Sequence, residues 1–488
     1  MKNKYLFLRG KTYVLLFATG IFLFGSCTQA IDGSNFDSGV HNTTLNPPTI
    51  TAIANADGSK TVLSWPVIMG AGGIKMSLYD INEPSVPIAI VTDTIIDGST
   101  CELPRAEDTN YKLVVKAIGN EKYNNKDSEE TEFLFTSIVP KINATPIPAG
   151  TDISQWFADN KTLIEAQTEE YAIELIGGAE YIMTDEIELG NVLFNLRSDS
   201  KVNNATIKMG ENAGFITETG IKMKYVNFEC SGMTGDNSSI LKFSKNHSYG
   251  LTAKHYLIGS GKSVVFQNCN IKGLVTRMIW DQKEPYVFDN MLIKKCIIEQ
   301  DQNAQLAKGA HTIELSNSFP MTFALEGNTV YSTTSTAKGK YVYFVAYMSD
   351  RPQNLVNGLY PTCTINWFNN TMVNMTKSTS GQKQGFANWG KLKGQKVCIM
   401  NVRNNIFVDC SGNYVVRQSF TQGQQTGMVQ SYEKNCYWYN GASTGSVDWN
   451  MNDRVDFDPQ LTQTAEGIYK VGGAEVKAAG IGDPRGLQ

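Results

Sequence analysis

Two extended runs in the sequence end alike, Leu274-Val275-Thr276-Arg277 and Tyr414-Val415-Val416-Arg417. An outward arginine at such a place can grip a carboxylate through two parallel N–H bonds, whereas one at a turn bonds backbone carbonyls instead. Alternation leaves both orientations open. Near these runs stand Trp280, Tyr347, Trp389 and Trp438, with Lys391 in the polar, glycine-rich stretch from Gly385. Indole and phenol faces stack on sugar rings, and they equally well fill a β core. Asp281 closes the run Leu274–Trp280 and Asp350 the run Tyr341–Ser349, and Arg277, Arg403 and Arg417 are candidates for removing a proton. No tight aspartate cluster accompanies them. His41, His247, His255 and His311 show neither metal-ligand spacing nor a triad with a nucleophile, so no metal is expected from them.

Composition bounds what can position these groups. The chain has 488 residues and a formal net charge of -4, without the basic excess of a nucleic-acid footprint. Only 18% of residues are charged, and 43 glycines stand beside 15 prolines, the balance of a turn-rich β protein. This length predicts two or three units. Lys2, Lys4, Arg9 and Lys11 precede an apolar run over 13–24 that is shorter than the roughly 20 residues needed to span a bilayer. Residues 1–26 therefore read as an export signal. Leu23-Phe24-Gly25-Ser26-Cys27 resembles the lipobox of bacterial lipoproteins. That resemblance implies cleavage before Cys27, a lipid on its thiol, and a place in the cell envelope at the outer membrane. Each buried lipid CH₂ contributes about 0.8 kcal/mol to the anchor.

Residues 27–46 read as a flexible tether. Over 47–139, short alternating strands around Trp65, Ile74–Tyr79, Ile88–Val91 and Tyr111–Ala117 predict a β-sandwich, which resembles a fibronectin type III domain and implies a spacer. Residues 140–160 join this unit to the rest. There Asp152-Ile153-Ser154-Gln155 has the form of a capping box, and Ile153, Trp156 and Phe157 share one helical face. Such a helix would cover the open end of a solenoid.

From 161 to 488 an irregular repeat emerges. Six runs bring an extended segment to a tight polar corner, and the ladder position reads Cys269, Cys296, Asn328, Asn370, Asn405 and Cys436, separated by 27, 32, 42, 35 and 31 residues. A constant corner with variable spacing is what a parallel β-helix produces, since each coil is a full turn of chain and loops insert at its corners. Coils stack about 4.8 Å apart, so an inward Asn can donate its amide to the next coil and accept from the previous one. Cysteine fits the same small site. The nine cysteines become an even eight if Cys27 is acylated, which invites a disulfide reading. Their place at the ladder argues for reduced stacking residues instead.

These corners resemble the pectate-lyase-like right-handed parallel β-helix, and more closely uncharacterised lipoprotein families of that fold associated with pectin use. The opening Ala172–Ile182 and the closing Ile481-Gly482-Asp483-Pro484-Arg485 carry the same likeness. The resemblance implies an all-β chain whose first sheet floors a groove. Its strands would come from Leu274–Trp280, Tyr341–Ser349, Gly385–Gly390 and Tyr414–Phe420, with groove walls from insertions at 331–366 and 373–400. It also implies an acidic plant-type polysaccharide as partner, together with other glycan-uptake envelope proteins. The expected function is glycan binding without a cofactor. The alternatives are a lyase cleaving uronates by β-elimination, with Ca²⁺ held by clustered acids, and a structural envelope spacer.

Overall fold

Alternating strands and left-handed corners build two units, Met1–Ile138 and Val139–Gln488. The computed structural model describes residues 40–54, 60–82, 84–106, 108–252, 255–258, 262–335, 342–347, 363–377, 385–389, 398–411, 415, 419–420, 429–443 and 454–488. Cys27 and the export signal lie outside them.

The first unit is a small antiparallel sandwich. One sheet holds Thr51–Ala54, Lys60–Ser64 and Thr100–Pro104; the other has the order Ile88–Ile96, Ala71–Asp80, Asn110–Gly119, Thr131–Thr136. Period-two alternation decides which side chains meet between the sheets: Leu63, Trp65, Met76, Leu78, Tyr111, Leu113 and Val115 are buried together. The Tyr111 hydroxyl closes back on Ala106, accepting from its N–H at 2.6 Å and donating to its carbonyl at 3.0 Å. This is the tyrosine corner of Greek-key sandwiches. Trp65 Nε1 donates to the Gly98 carbonyl at 3.0 Å, which satisfies the one polar atom that its burial would strand.

The second unit is a right-handed parallel β-helix with three strands per coil. Its second sheet begins at Tyr171–Leu175, its third at Glu180–Met183 and its first at Glu186–Glu188, and all three grow by parallel pairing. The inward row of the second sheet runs Ile173, Leu196, Met223, Phe266, Ile293, Leu325, Trp367, Val402, Tyr432 in direct register. Before the first coil lies the expected helix, Ile153–Asp159. Asp152 caps it by accepting from Ser154 N at 2.9 Å, and Phe157 packs edge-on against Phe194. Gln155 does not complete a capping box; its amide donates forward to Asp159 at 2.7 Å.

Seven corners between the second and third sheets use one left-handed residue: Tyr225, Asn268, Lys295, Gly327, Asn369, Asn404 and Lys434 have φ between 50° and 63°. The residue that follows is turned inward to the ladder. Asn370 Nδ2 donates to Asn405 Oδ1 in the next coil at 2.9 Å, and Asn370 Oδ1 accepts from the Asn328 backbone and amide at 3.0 and 2.9 Å. From Cys269 onward every ladder residue also donates to the carbonyl of the inward-row residue one coil back. Cys269 reaches Met223 and Cys296 reaches Phe266, both at 3.3 Å, and Asn328, Asn370 and Asn405 reach Ile293, Leu325 and Trp367 at 2.8–2.9 Å. Both cysteines are free and buried, and burial pushes the Cys269 thiol well above its usual range.

Two expectations about cysteine need correcting. The last rung is Asn435, not Cys436: Asn405 N and Nδ2 both donate to Asn435 Oδ1 at 3.0 Å, and Asn435 Nδ2 donates to Val402 O at 2.8 Å. Cys436 comes one residue later and opens the next strand, so its side chain faces the opposite way, onto Ile406, Val471, Val476 and Ile481. The reading of cysteines as stacking residues also fails at Cys363 and Cys398, which are register partners on adjacent strands of the second sheet and form a disulfide.

The C-terminal segment returns as a strap over the outer face of the third sheet. Its hairpin, Leu461–Gln463 with Tyr469–Val471, and its helix, Ala474–Ala478, cover Ile297, Tyr331, Val373 and Ile406. The closing motif pins it down. Asp483 Oδ2 accepts from Thr329 Oγ1 at 2.7 Å, Asp483 N donates to Thr371 Oγ1 at 3.0 Å, and Arg485 donates to the carbonyls of Lys295, Cys296 and Gly327 at 2.8–3.3 Å.

Asn370→Ala strands the buried Asn328 N–H and is expected to cost about 2–3 kcal/mol, read as a lower urea midpoint. Cys436→Ala is expected to cost less, because no rung is lost. Replacing Cys363 and Cys398 together by serine releases a loop of 35 residues. By loop entropy that change costs roughly 3–4 kcal/mol, and the wild type under reductant in denaturant should shift by the same amount.

Candidate functional site

The outer face of the first sheet carries the best-organised set of polar side chains near the predicted positions. Its strands include Arg277–Trp280, Ile313–Leu315, Val345–Tyr347 and Ala387–Asn388, within three of the four stretches expected there and the intervening coil. Ile187, Phe215, Leu241, Ile279, Ile313, Val345 and Ala387 form the inward row. The alternate row therefore faces out: Glu188, Ile216, Lys242, Trp280, Glu314, Ala346, Asn388.

Arg277 begins its strand and folds over this row. Its guanidinium carbon lies 4.4 Å from the Trp280 ring centroid, Nε donates to Glu314 Oε2 at 2.7 Å, and Nη1 donates to the Asp236 carbonyl at 2.9 Å. It is only 6% exposed. Both readings of this arginine thus meet in one geometry, and the carboxylate it holds is the protein's own. The half-buried Trp280 keeps its Nε1 buried and without a partner. Further along the sheet, Lys242 pairs with Glu186, while Glu188 accepts from Ser244 Oγ at 2.8 Å. A cavity of about 430 Å³ between the helix Ile153–Asp159, the short helix Lys161–Glu165 after it and residues 186–192 opens beside these two glutamates.

Several candidates do not join the set. Trp389 is fully buried, packs on Phe323 and Trp367, and spends its Nε1 on the Ser419 carbonyl at 2.8 Å. It is a core residue and cannot stack on a sugar. Asp281 is equally buried. Its carboxylate accepts from the backbone N–H of Lys283, Asn317 and Ser318 at 2.7–2.9 Å, tying two turns together, so it is no surface acid or metal ligand. Burial raises its pKa above the ordinary carboxylate value against these hydrogen bonds. Arg403 stands on the second sheet, 3.8 Å from Glu433, on another flank of the coil from Arg277. Arg417, Lys391 and Asp350 lie outside the described residues, as does the side chain of Tyr347. Among the described residues no group of three or more His, Cys, Asp or Glu is placed to hold a metal, so the Ca²⁺ site of a lyase finds no ligand set there.

Pattern reading missed two arrangements. Glu314 is visible only as the outward member of Ile313-Glu314-Leu315, and register alone places it beside Arg277. The second is built on an insertion between the first and second sheets. His247 stacks on Tyr256 with ring centroids 3.8 Å apart; its Nε2 is 3.0 Å from Glu284 Oε2 and its Nδ1 is 2.9 Å from Tyr286 Oη. The Tyr286 hydroxyl also reaches the Ser244 carbonyl at 2.9 Å, and its phenol is driven upward in pKa by burial first and by nearby Glu218 and Glu284 next. Tyr286 is fully buried, so the cluster fastens the insertion and does not face a ligand. No spacing in the sequence signals it.

Comparison with known proteins adds little chemistry. Residues 1–180 match the model of a domain of unknown function, DUF4992, and residues 179–333 match that of another, DUF4957. No curated protein matches the chain. Among solved structures, pectate lyase PelI from Erwinia chrysanthemi, in complex with tetragalacturonic acid, aligns over 81% of this chain and 92% of its own at 10% identity and a TM-score of 0.17. The family 28 exopolygalacturonase of Yersinia enterocolitica aligns over 82% and 87% at 10% identity and a TM-score of 0.21. Pectate lyase Pel3 from Pectobacterium carotovorum aligns over 74% and 86% at 10% identity and a TM-score of 0.13. None of their activities transfers to this chain at that identity.

Asp281→Asn is expected to destabilise the protein while leaving any glycan retention of the folded protein unchanged, which separates a turn clamp from a catalytic acid. Because the folded carboxyl holds its proton more tightly than the unfolded one, its contribution to stability falls as pH rises from about 4 through the raised pKa. Urea midpoints measured across that window should flatten in the variant.

Proposed function

We propose that the protein is a lipid-anchored glycan-binding component of the cell envelope that receives an acidic, pectin-type polysaccharide on the outer face of its first sheet. The observation that carries this reading is the Arg277–Trp280–Glu314 arrangement, a guanidinium laid over an indole and held from behind by a carboxylate and a carbonyl. The Trp280 ring beside this guanidinium is partly exposed, while its Nε1 is buried without a partner. That combination suits a uronate, whose ring face can stack on the indole beside a positive charge. Support for the anchor comes from Cys27 and the segment before it. The N-terminal sandwich, read as fibronectin type III-like, then serves as a spacer between lipid and coil.

Binding is preferred to β-elimination because the described candidates for acid and base are otherwise engaged. Asp281 clamps turns, Arg277 is paired with Glu314, and Arg403 belongs to another flank.

The test is electrophoresis of the full protein through gels containing polygalacturonate, pectin or a neutral glucan, with product absorbance followed with and without Ca²⁺. Retardation by the acidic glycans is expected, with that affinity reduced about tenfold in Trp280→Ala and in Arg277→Lys. Accumulation of unsaturated product would overturn the binding-only reading. Absence of both retardation and product on every acidic glycan would remove the acidic partner altogether.

A further inference from the structure

The third sheet carries a second outward surface, and the chain's own C-terminus fills only half of it. Beside the corners, its outward row reads Thr206, Asn227, Asn270, Ile297, Thr329, Thr371, Ile406. Over Thr329 and Thr371 the row is occupied by the closing motif through Asp483, and Arg485 caps the adjoining corner carbonyls as far as Lys295. On the other side of Arg485 the trough continues, and among the described residues it is not covered there. There it widens into a cavity of about 380 Å³ lined by Asn203, Asn204, Asn227, Asn268 and Asn270, with Ile297 and the strap's Ile468 contributing apolar surface.

The side chains change character where the strap stops. Threonine and isoleucine give way to amides, each offering both a donor and an acceptor. Stacking between coils does not use them up. Asn204 Nδ2 donates to Asn227 Oδ1 at 3.0 Å and to the Asn268 carbonyl at 2.8 Å, and Asn270 N donates to the same Asn227 oxygen at 3.2 Å. Asn227 Nδ2 has only a long contact of 3.4 Å with Thr206, and Asn270 Oδ1 is buried with no partner. A buried carbonyl oxygen of this kind costs free energy until a donor reaches it. Neither charge nor strand pairing selects the occupant. The rim holds Lys295 and Glu466, of opposite sign, and Arg485 is spent on carbonyls and Asp483. The third-sheet backbone at Asn227 and Asn270 is already paired with neighbouring coils, so a peptide finds no free strand edge.

We infer that this asparagine-lined trough is a binding site for a neutral oligosaccharide, whose hydroxyls pair with the amides of Asn227 and Asn270 while a ring face rests on Ile468. Its volume falls in the range of small-ligand sites. It is separate from the first-sheet surface and does not rest on the reading given to that surface.

The test is calorimetric titration of the full protein with galactotetraose, cellotetraose and tetragalacturonate, together with amide hydrogen exchange. At least one neutral tetramer is expected to bind. Its affinity should fall about tenfold or more in the Asn227→Ala/Asn270→Ala double variant and stay unchanged in Trp280→Ala. In the wild type, protection should appear at 203–204, 268–270 and 466–468. Failure of both neutral tetramers to bind overturns the inference. So does neutral binding that Trp280→Ala abolishes, or protection confined to the first sheet. Should the double variant not fold, the exchange map of the wild type decides by the same criterion. Loss of tetragalacturonate binding bears only on the first-sheet reading.

Discussion

The β-helix depends on one repeated constraint, a left-handed residue that turns the chain through a sharp corner and delivers the next side chain to an inward slot. From Cys269 onward the side chain at that slot offers a donor to a carbonyl one coil back, and, where it is asparagine, also an acceptor to the neighbouring rung. Asn328, Asn370, Asn405 and Asn435 meet both demands. Cys269 and Cys296 meet the first in a smaller volume. Because every coil must return to the same slot, insertions are tolerated everywhere else on the turn. Spacing along the chain is therefore irregular while stacking in space is regular.

The rest of the second unit protects this stack at its ends and flanks. The helix at 153–159 covers the first coil, and the strap covers the outer face of the third sheet where that face is apolar. Gly482 has φ of 98° and stands against Thr371 and Ile406, so the closing motif approaches the corner closely only because no side chain is present there. Arg485 then donates to carbonyls of successive corners. A solenoid whose strap ends partway leaves one flank polar and open, and that flank is where the asparagine trough lies.

The first-sheet face is organised by charge pairing within the protein. Arg277 and Lys242 each have a glutamate partner close by. This arrangement holds the arginine over Trp280 with little freedom, which lowers the entropic cost of using it. It also reduces the field that a polyanion would meet. Recognition at such a surface has to come from geometry more than from net charge, in keeping with a chain whose total charge is -4.

Much of the architecture is legible in the residue pattern. Corners around Asn328, Asn370 and Asn405 announce the β-helix, alternation around Trp65 and Tyr111 announces the sandwich, and Asp152 announces the capping helix. Local pattern carries these because each is a matter of backbone conformation and period. It fails by one residue at Asn435 and Cys436, where two small side chains are adjacent and only stacking shows which faces inward. It also places Trp389 and Asp281 at a surface, since an alternating run does not tell which neighbour covers it. Residue types and spacing alone determined the fold class, the repeat and most of its rungs. Tertiary structure decided the pairing of Arg277 with Glu314, the Cys363–Cys398 bond, the Glu284–His247–Tyr286 cluster and the open trough, because these join residues that only the register of stacked coils brings together.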